Sequence, residues 1–107
     1  MGDSMLQSAT EASELLKIMA HPERLIVMCK LVEGEKGVGE LFEGEKGVGE
    51  LFEGSTLSQS AFSQHLTVLR KHDIIKARKV SQQVFYSISD ERVGPLIEAF
   101  NQVFCKQ

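Results

Sequence analysis

Apolar positions recur along this chain at two spacings, and the spacings mark out its elements. Leu15, Leu16 and Met19 form a stripe on a helix expected over about Ala9–Met19. The segment HPERLIVMCKLV predicts a second helix, opened by Pro22 at its first position, with Leu25, Cys29 and Val32 on one face. Val48 and Leu51 place a short helix over VGEL. From residue 58 to 71, Ala61, Leu66 and Leu69 fall on one side of a helix, with Leu57 leading in and Val68 flanking. The spacing then changes. Ile74–Val80 and Val84–Ile88 are rich in β-branched and aromatic residues, and Ser81-Gln82-Gln83 breaks them into a hairpin over 74–88. A last helix carries Val93, Leu96, Ile97, Phe100, Val103 and Phe104. Pro95 cannot donate to Glu91 from inside a helix begun at Asp90, so the helix is expected to restart near Gly94 with Pro95 in its first turn. The expected fold is mainly α with a small β-hairpin, one domain over residues 1–107. Residues 1–8 are expected to be disordered.

The polar side of 58–71 carries the first candidate chemistry. Ser58 suits an N-cap. Gln59, Ser60, Ser63, Gln64 and Thr67 are short or amide side chains that donate and accept hydrogen bonds, as groups that read base edges must. Arg70 and Lys71 close the helix, within reach of a phosphate. The hairpin adds Lys76, Arg78 and Lys79, with Gln82 and Gln83 at its turn. A basic two-stranded ribbon after a polar-faced helix is a winged helix-turn-helix arrangement, and a solvated polar face is the plainer alternative. Ser58, Gln59, Ser60, Ser63, Gln64, His65, Thr67, Arg70, Lys76, Arg78, Lys79, Gln82 and Gln83 are the expected contacts to double-stranded DNA. The charge distribution favours that reading. The whole chain carries −3, but residues 55–107 hold +3 and residues 1–54 hold −6. The local field governs docking, and the positive residues cluster beside the polar helix.

EGEKGVGELF occurs at 33–42 and again, letter for letter, at 43–52. Such identity indicates a recent duplication or an artificial insertion. A solenoid would need more copies to bury a shared core. The second copy keeps Leu51 close before Leu57, so Val48 and Leu51 are assigned to the helix that supports the polar one. The first copy is then extra material, expected to loop, because a continuous ten-residue helical insert would rotate every later element by about 280°. The reverse assignment is the competing one. A phosphate-loop reading of GVGELF is set aside on the expectation that no strand precedes it.

The run LSQSAFSQHLTVLRKHDII, followed by KARKVSQQVFYSI, resembles the ArsR/SmtB family of bacterial winged-helix repressors. The resemblance extends through most of the chain and needs only one copy of the repeat. It implies a homodimer that binds a palindromic operator and is released by a chemical signal. Two cysteines in such a chain are ordinarily buried hydrophobes or bystanders. The resemblance changes that weighting. The family's metal sites call for cysteines near VGEL or for Asp/His sets on the last helix. Here VGEL has no cysteine, Arg92 stands where a histidine is wanted, and His21, His65 and His72 are scattered, so no metal or other cofactor is expected. One cysteine in the second helix and one near the C-terminus resemble the reactive-sulfur and oxidant-sensing branch. That implies Cys29 and Cys105 as redox-sensing residues, with reactive sulfur species or oxidants as effectors. Lys30 and Lys106 adjoin the two thiols and could favour their ionised forms.

Two amphipathic terminal helices exceed what one small core needs. Leu15, Leu16, Met19, Leu96, Ile97, Phe100, Val103 and Phe104 are the expected dimer interface, with packing onto the chain's own core as the alternative. No segment approaches the ~20 apolar residues of a membrane span, and Met1–Gln7 lacks a signal pattern, so a cytoplasmic location is expected. No nucleophile–base–acid set points to an enzyme. Two other readings remain: a metal sensor with an unrecognised site, and a protein-interaction module whose DNA reading the duplication impairs.

Overall fold

The computed structural model describes residues 2–33 and 46–105. Its order is α1 (Gly2–Met19), α2 (Pro22–Glu33), β1 (Lys46–Gly47), α3 (Val48–Phe52), α4 (Gln59–Lys71), β2 (Ile75–Val80), β3 (Gln83–Ile88) and α5 (Val93–Phe104). This is a winged helix-turn-helix with α3 supporting and α4 as the polar-faced helix. The first repeat copy, apart from Glu33, lies outside the described residues, as do Lys106 and the side chain of Val48. The looped course expected of that copy falls there too.

Three expectations are corrected. The N-terminus is helical from Gly2, where residues 1–8 were expected to be disordered. Met, Leu, Gln and Ala are good helix formers, and the Thr10 hydroxyl donates back to the Leu6 carbonyl at 2.8 Å. A strand does precede GVGELF, because Lys46–Gly47 pairs antiparallel with β3 and makes a three-stranded sheet of order β1-β3-β2. It is only two residues long and leads into a five-residue helix, so it builds no phosphate loop. Gln83 is the first residue of β3 rather than part of the turn.

The core gathers around α2. Val27, Met28 and Leu31 are buried against Leu51, Phe62, Leu66, Leu69, Ile74, Ile75, Tyr86, Val93 and Ile97, with Leu15 and Met19 closing one side. The buried stripe of α4 is Phe62, Leu66 and Leu69. Ala61, expected there, is only half-buried. Phe62 meets Phe52 edge-on, with ring centres 5.2 Å apart.

Local chemistry sets the ends of α4. The Ser58 hydroxyl accepts the Ala61 amide at 3.1 Å. At the other end Asp73 takes a left-handed φ of 59°. The Asp73 amide then donates to the Arg70 carbonyl, and the Ile74 amide to the Leu69 carbonyl. This is a Schellman closure, with the buried pair Leu69 and Ile74 as its apolar contact. It turns the chain directly from the polar helix into the wing. The wing's own turn places Ser81 at φ 58° in a two-residue link between Val80 and Gln83, which suits the twist of the flanking strands. Pro95 does sit in the first turn of α5, where its missing N–H costs nothing.

Candidate functional site

Ser58, Gln59, Ser60, Ser63, Gln64, Thr67 and Arg70 are exposed on α4 and its cap, and Lys76, Arg78, Lys79, Gln82 and Gln83 are exposed on the wing. α4 therefore presents a polar, hydrogen-bonding face while Phe62, Leu66 and Leu69 hold its other side in the core. The Thr67 hydroxyl is already engaged, donating to the Ser63 carbonyl at 3.0 Å.

His65 departs from the expected set. It is half-buried against α2, where Arg24 Nε donates to its Nδ1 at 3.1 Å and its ring meets that of His21 at 5.0 Å. Two histidines read as scattered are thus neighbours. Burial, and then the charges of Arg24 and His21, hold the His65 imidazole below its ordinary value, against a smaller opposing pull from Glu23. The folded state disfavours protonated His65, so its contribution to stability is complete above the unfolded value of about 6.5 and is lost as pH falls. On going from about pH 7.5 to about pH 5.5, the melting temperature should fall more for the parent than for His65→Asn. Equal losses would show that His65 does not carry the effect.

α2 is pinned to α3 and to the link before α4 at two further points. The Ser55 hydroxyl donates to Glu23 Oε1 at 3.2 Å. Lys30 Nζ donates to the carbonyls of Leu51 (3.1 Å) and Glu53 (2.6 Å), with Glu50 at 3.3 Å. A cation there satisfies carbonyls that the end of a short helix leaves without partners. Sequence reasoning missed this role and assigned Lys30 to Cys29 instead. Lys30→Met should lower the unfolding free energy by about 1–2 kcal/mol in urea titration. A change under a few tenths would mean that solvent replaces the ammonium without loss.

The second site lies between α2 and α5. Cys29 is half-buried and Cys105 is exposed at the C-cap of α5; both are free thiols. They line one open groove of about 780 Å³ with Pro22, Leu25, Ile26, Phe100 and Asn101. Residues 76 apart in sequence thus share one wall-to-wall space. The Cys29 thiol donates to Asn101 Oδ1 at 3.8 Å. Burial pushes that thiol above its ordinary value, with repulsion from Cys105 and then Glu33 adding to the shift. The help expected from Lys30 is therefore overturned.

The expected interface residues divide. Leu15, Met19 and Ile97 are inside this chain's own core, because the stripes of α1 and α5 close over α2. Phe100 is half-buried in the groove. Leu16, Leu96, Val103 and Phe104 remain exposed, and Met5 and Leu6 join them. Among the described residues, no group of three or more His, Cys, Asp or Glu could hold a metal ion, and no helix is long and apolar enough to cross a membrane. Arg92 makes a two-point contact with Asp90, whose carboxyl that bond holds below its ordinary value, and so fixes the start of α5.

A supporting helix, a polar helix and a basic wing held in this order define a winged-helix regulator that binds DNA. The family described as "Bacterial regulatory protein, arsR family" matches residues 40–77, a span that takes in the second repeat copy whole. The biofilm growth-associated repressor of Agrobacterium fabrum is 38% identical over 102 residues, covering 95% of this chain and 79% of its own length. Among solved structures, the transcriptional repressor BigR from Xylella fastidiosa superposes with a TM-score of 0.81 at 34% identity, covering 100% of this chain and 99% of that one. HlyU from Vibrio cholerae N16961 gives 0.76 at 38% identity, covering 92% and 96%. The chain belongs to the arsR family of bacterial regulatory proteins, which are transcriptional regulators and not enzymes.

Proposed function

We propose that this protein is a homodimeric repressor that leaves its operator when Cys29 and Cys105 are oxidised or bridged by reactive sulfur species. The observation that carries this reading is that the two thiols line one groove. Bridging them would draw the end of α5 toward α2. On its other sides α2 holds the reading head through Glu23, Arg24 and Lys30. A shift of α2 therefore reaches Ser55 in the link, His65 on α4 and the end of α3 together.

Exposed apolar side chains support the homodimer. Met5 is 76% exposed, Val103 68% and Phe104 75%. They lie on the two terminal helices, where a second copy would cover them, and apolar groups this open on a helix mark an unfilled contact. The −3 total does not oppose DNA, since Lys76, Arg78 and Lys79 are on the wing. Contacts by Gln59, Ser60, Ser63 and Gln64 would read base edges, and the wing cations would hold phosphates.

The test is binding to a duplex selected from a random pool, before and after treatment with an organic persulfide or a mild oxidant. The parent should bind reduced and release on treatment. Cys29→Ser and Cys105→Ser should bind equally well and stay bound. Release by both single variants, as complete as the parent's, would remove the thiol switch and leave the DNA reading intact.

A further inference from the structure

Asn101 is tied to both thiols. It stands one helical turn before Cys105, and its backbone carbonyl accepts the Cys105 amide at 2.9 Å. Its side-chain oxygen accepts the Cys29 S–H at 3.8 Å across the groove. One residue therefore closes the end of the helix that carries one thiol and holds the hydrogen of the other. The two thiols are unequal in access, with Cys29 half-buried and Cys105 exposed. A neutral acceptor that binds S–H favours the protonated form, and only the thiolate is a nucleophile.

We propose that Asn101 is a positioning residue that sets the order of reaction in the groove: Cys105 attacks the effector first, and Cys29, held protonated until then, resolves the product. This rests on the thiol switch proposed above. With an organic persulfide, the Cys105 thiolate attacks the terminal sulfur. A bond forms from Cys105 Sγ to that sulfur, and the persulfide's S–S bond breaks, releasing the organic thiolate. Cys29 then yields its proton to solvent and attacks Cys105 Sγ. The Cys29–Cys105 bond forms, and the terminal sulfur leaves as hydrosulfide. Two thiols lose two electrons in all, and the persulfide is reduced to a thiol and sulfide.

The charged and titratable groups around Cys29 agree with this order. Glu33 on α2 and Cys105 beyond α5 both oppose its ionisation, and burial opposes it most. Lys30, which also borders the groove, directs its ammonium to the α3 carbonyls.

Timed iodoacetamide labelling of the full chain, read cysteine by cysteine across pH, tests the proposal without DNA or effector. In the parent, Cys105 should label about tenfold faster than Cys29 near neutral pH. Asn101→Ala should move the Cys29 midpoint to lower pH, and Asn101→Asp should move it higher. The Cys105 rate should stay within about twofold in Asn101→Ala, whose side chain is neutral. The alkaline plateau reports access to Cys29 and the midpoint reports the hydrogen bond, so a purely steric role for Asn101 would raise the plateau and leave the midpoint in place. Equal labelling of the two cysteines in the parent, or midpoints that do not move in opposite directions, would overturn the proposal. Loss of the thiol switch itself would appear separately, in operator release by the serine variants.

Discussion

Phe62→Ala should lower the unfolding free energy by about 3–5 kcal/mol, the largest stability loss expected from any one side chain here. Phe62 is 1% exposed and among the largest fully buried side chains. It packs between the reading helix and α2, with Phe52 of the supporting helix against its ring. Truncation removes transfer energy and leaves a void that rigid helix neighbours can only partly fill. For a chain of 107 residues this is a large share of a typical 5–15 kcal/mol stability. Urea titration would show it as a lower midpoint at unchanged slope. Ala61, one position away and half-buried, serves as the control: Ala61→Gly should cost only about 1 kcal/mol, the ordinary helix penalty. If Phe62→Ala costs no more than that, the core assignment for α4 is wrong.

The second large effect concerns DNA. The double variant Lys76→Ala, Lys79→Ala should weaken duplex binding by roughly tenfold or more near 0.1 M salt, for every sequence alike. For the dimer, which loses four lysines, the plot of log affinity against log salt should become shallower by about 3 to 4, because each lost phosphate contact removes a little under one counterion. Both side chains are exposed on β2, so the fold should not change. Gln64→Ala should behave differently. It should alter preference among sequences and leave the salt slope in place. An unchanged slope in the lysine variant would mean that the wing does not touch the backbone.

Much of this architecture was legible in local chemistry. Ser58 as a cap, Pro22 and Pro95 in first helical turns, and the two strands of the wing all follow from propensities that act within a few residues. What escaped was set by tertiary packing. The spacing of Phe62, Leu66 and Leu69 is as helical as the one chosen through Ala61, and only the partner α2 decides between them. Leu15, Met19 and Ile97 were legible as apolar stripe residues, but a stripe does not say whether its own chain or a second copy will cover it. His21 and His65 meet because α2 and α4 pack together, a fact no spacing encodes. Lys30 was judged by its neighbour in sequence, whereas its ammonium reaches carbonyls 20 to 23 residues away. Strand β1, at two residues, is too short to leave a period-2 signature.

That small edge strand bears on the repeat. Lys46 and Gly47 lie opposite Tyr86 and Phe85, so the berth beside the wing is filled from the second decapeptide. The first decapeptide carries the same Lys-Gly pair at positions 36 and 37. That pair alone does not distinguish the copies, but the residue just past them does: Ser55, bonded to Glu23, would be replaced by Glu45 if the first copy were seated. Seating the first copy would place ten more residues between the supporting helix and α4. Loop-closure entropy changes by only about 0.6 kcal/mol for each doubling of length. The second decapeptide thus keeps its register through a hydroxyl just past its end, and a carboxylate facing Glu23 would be set against the alternative.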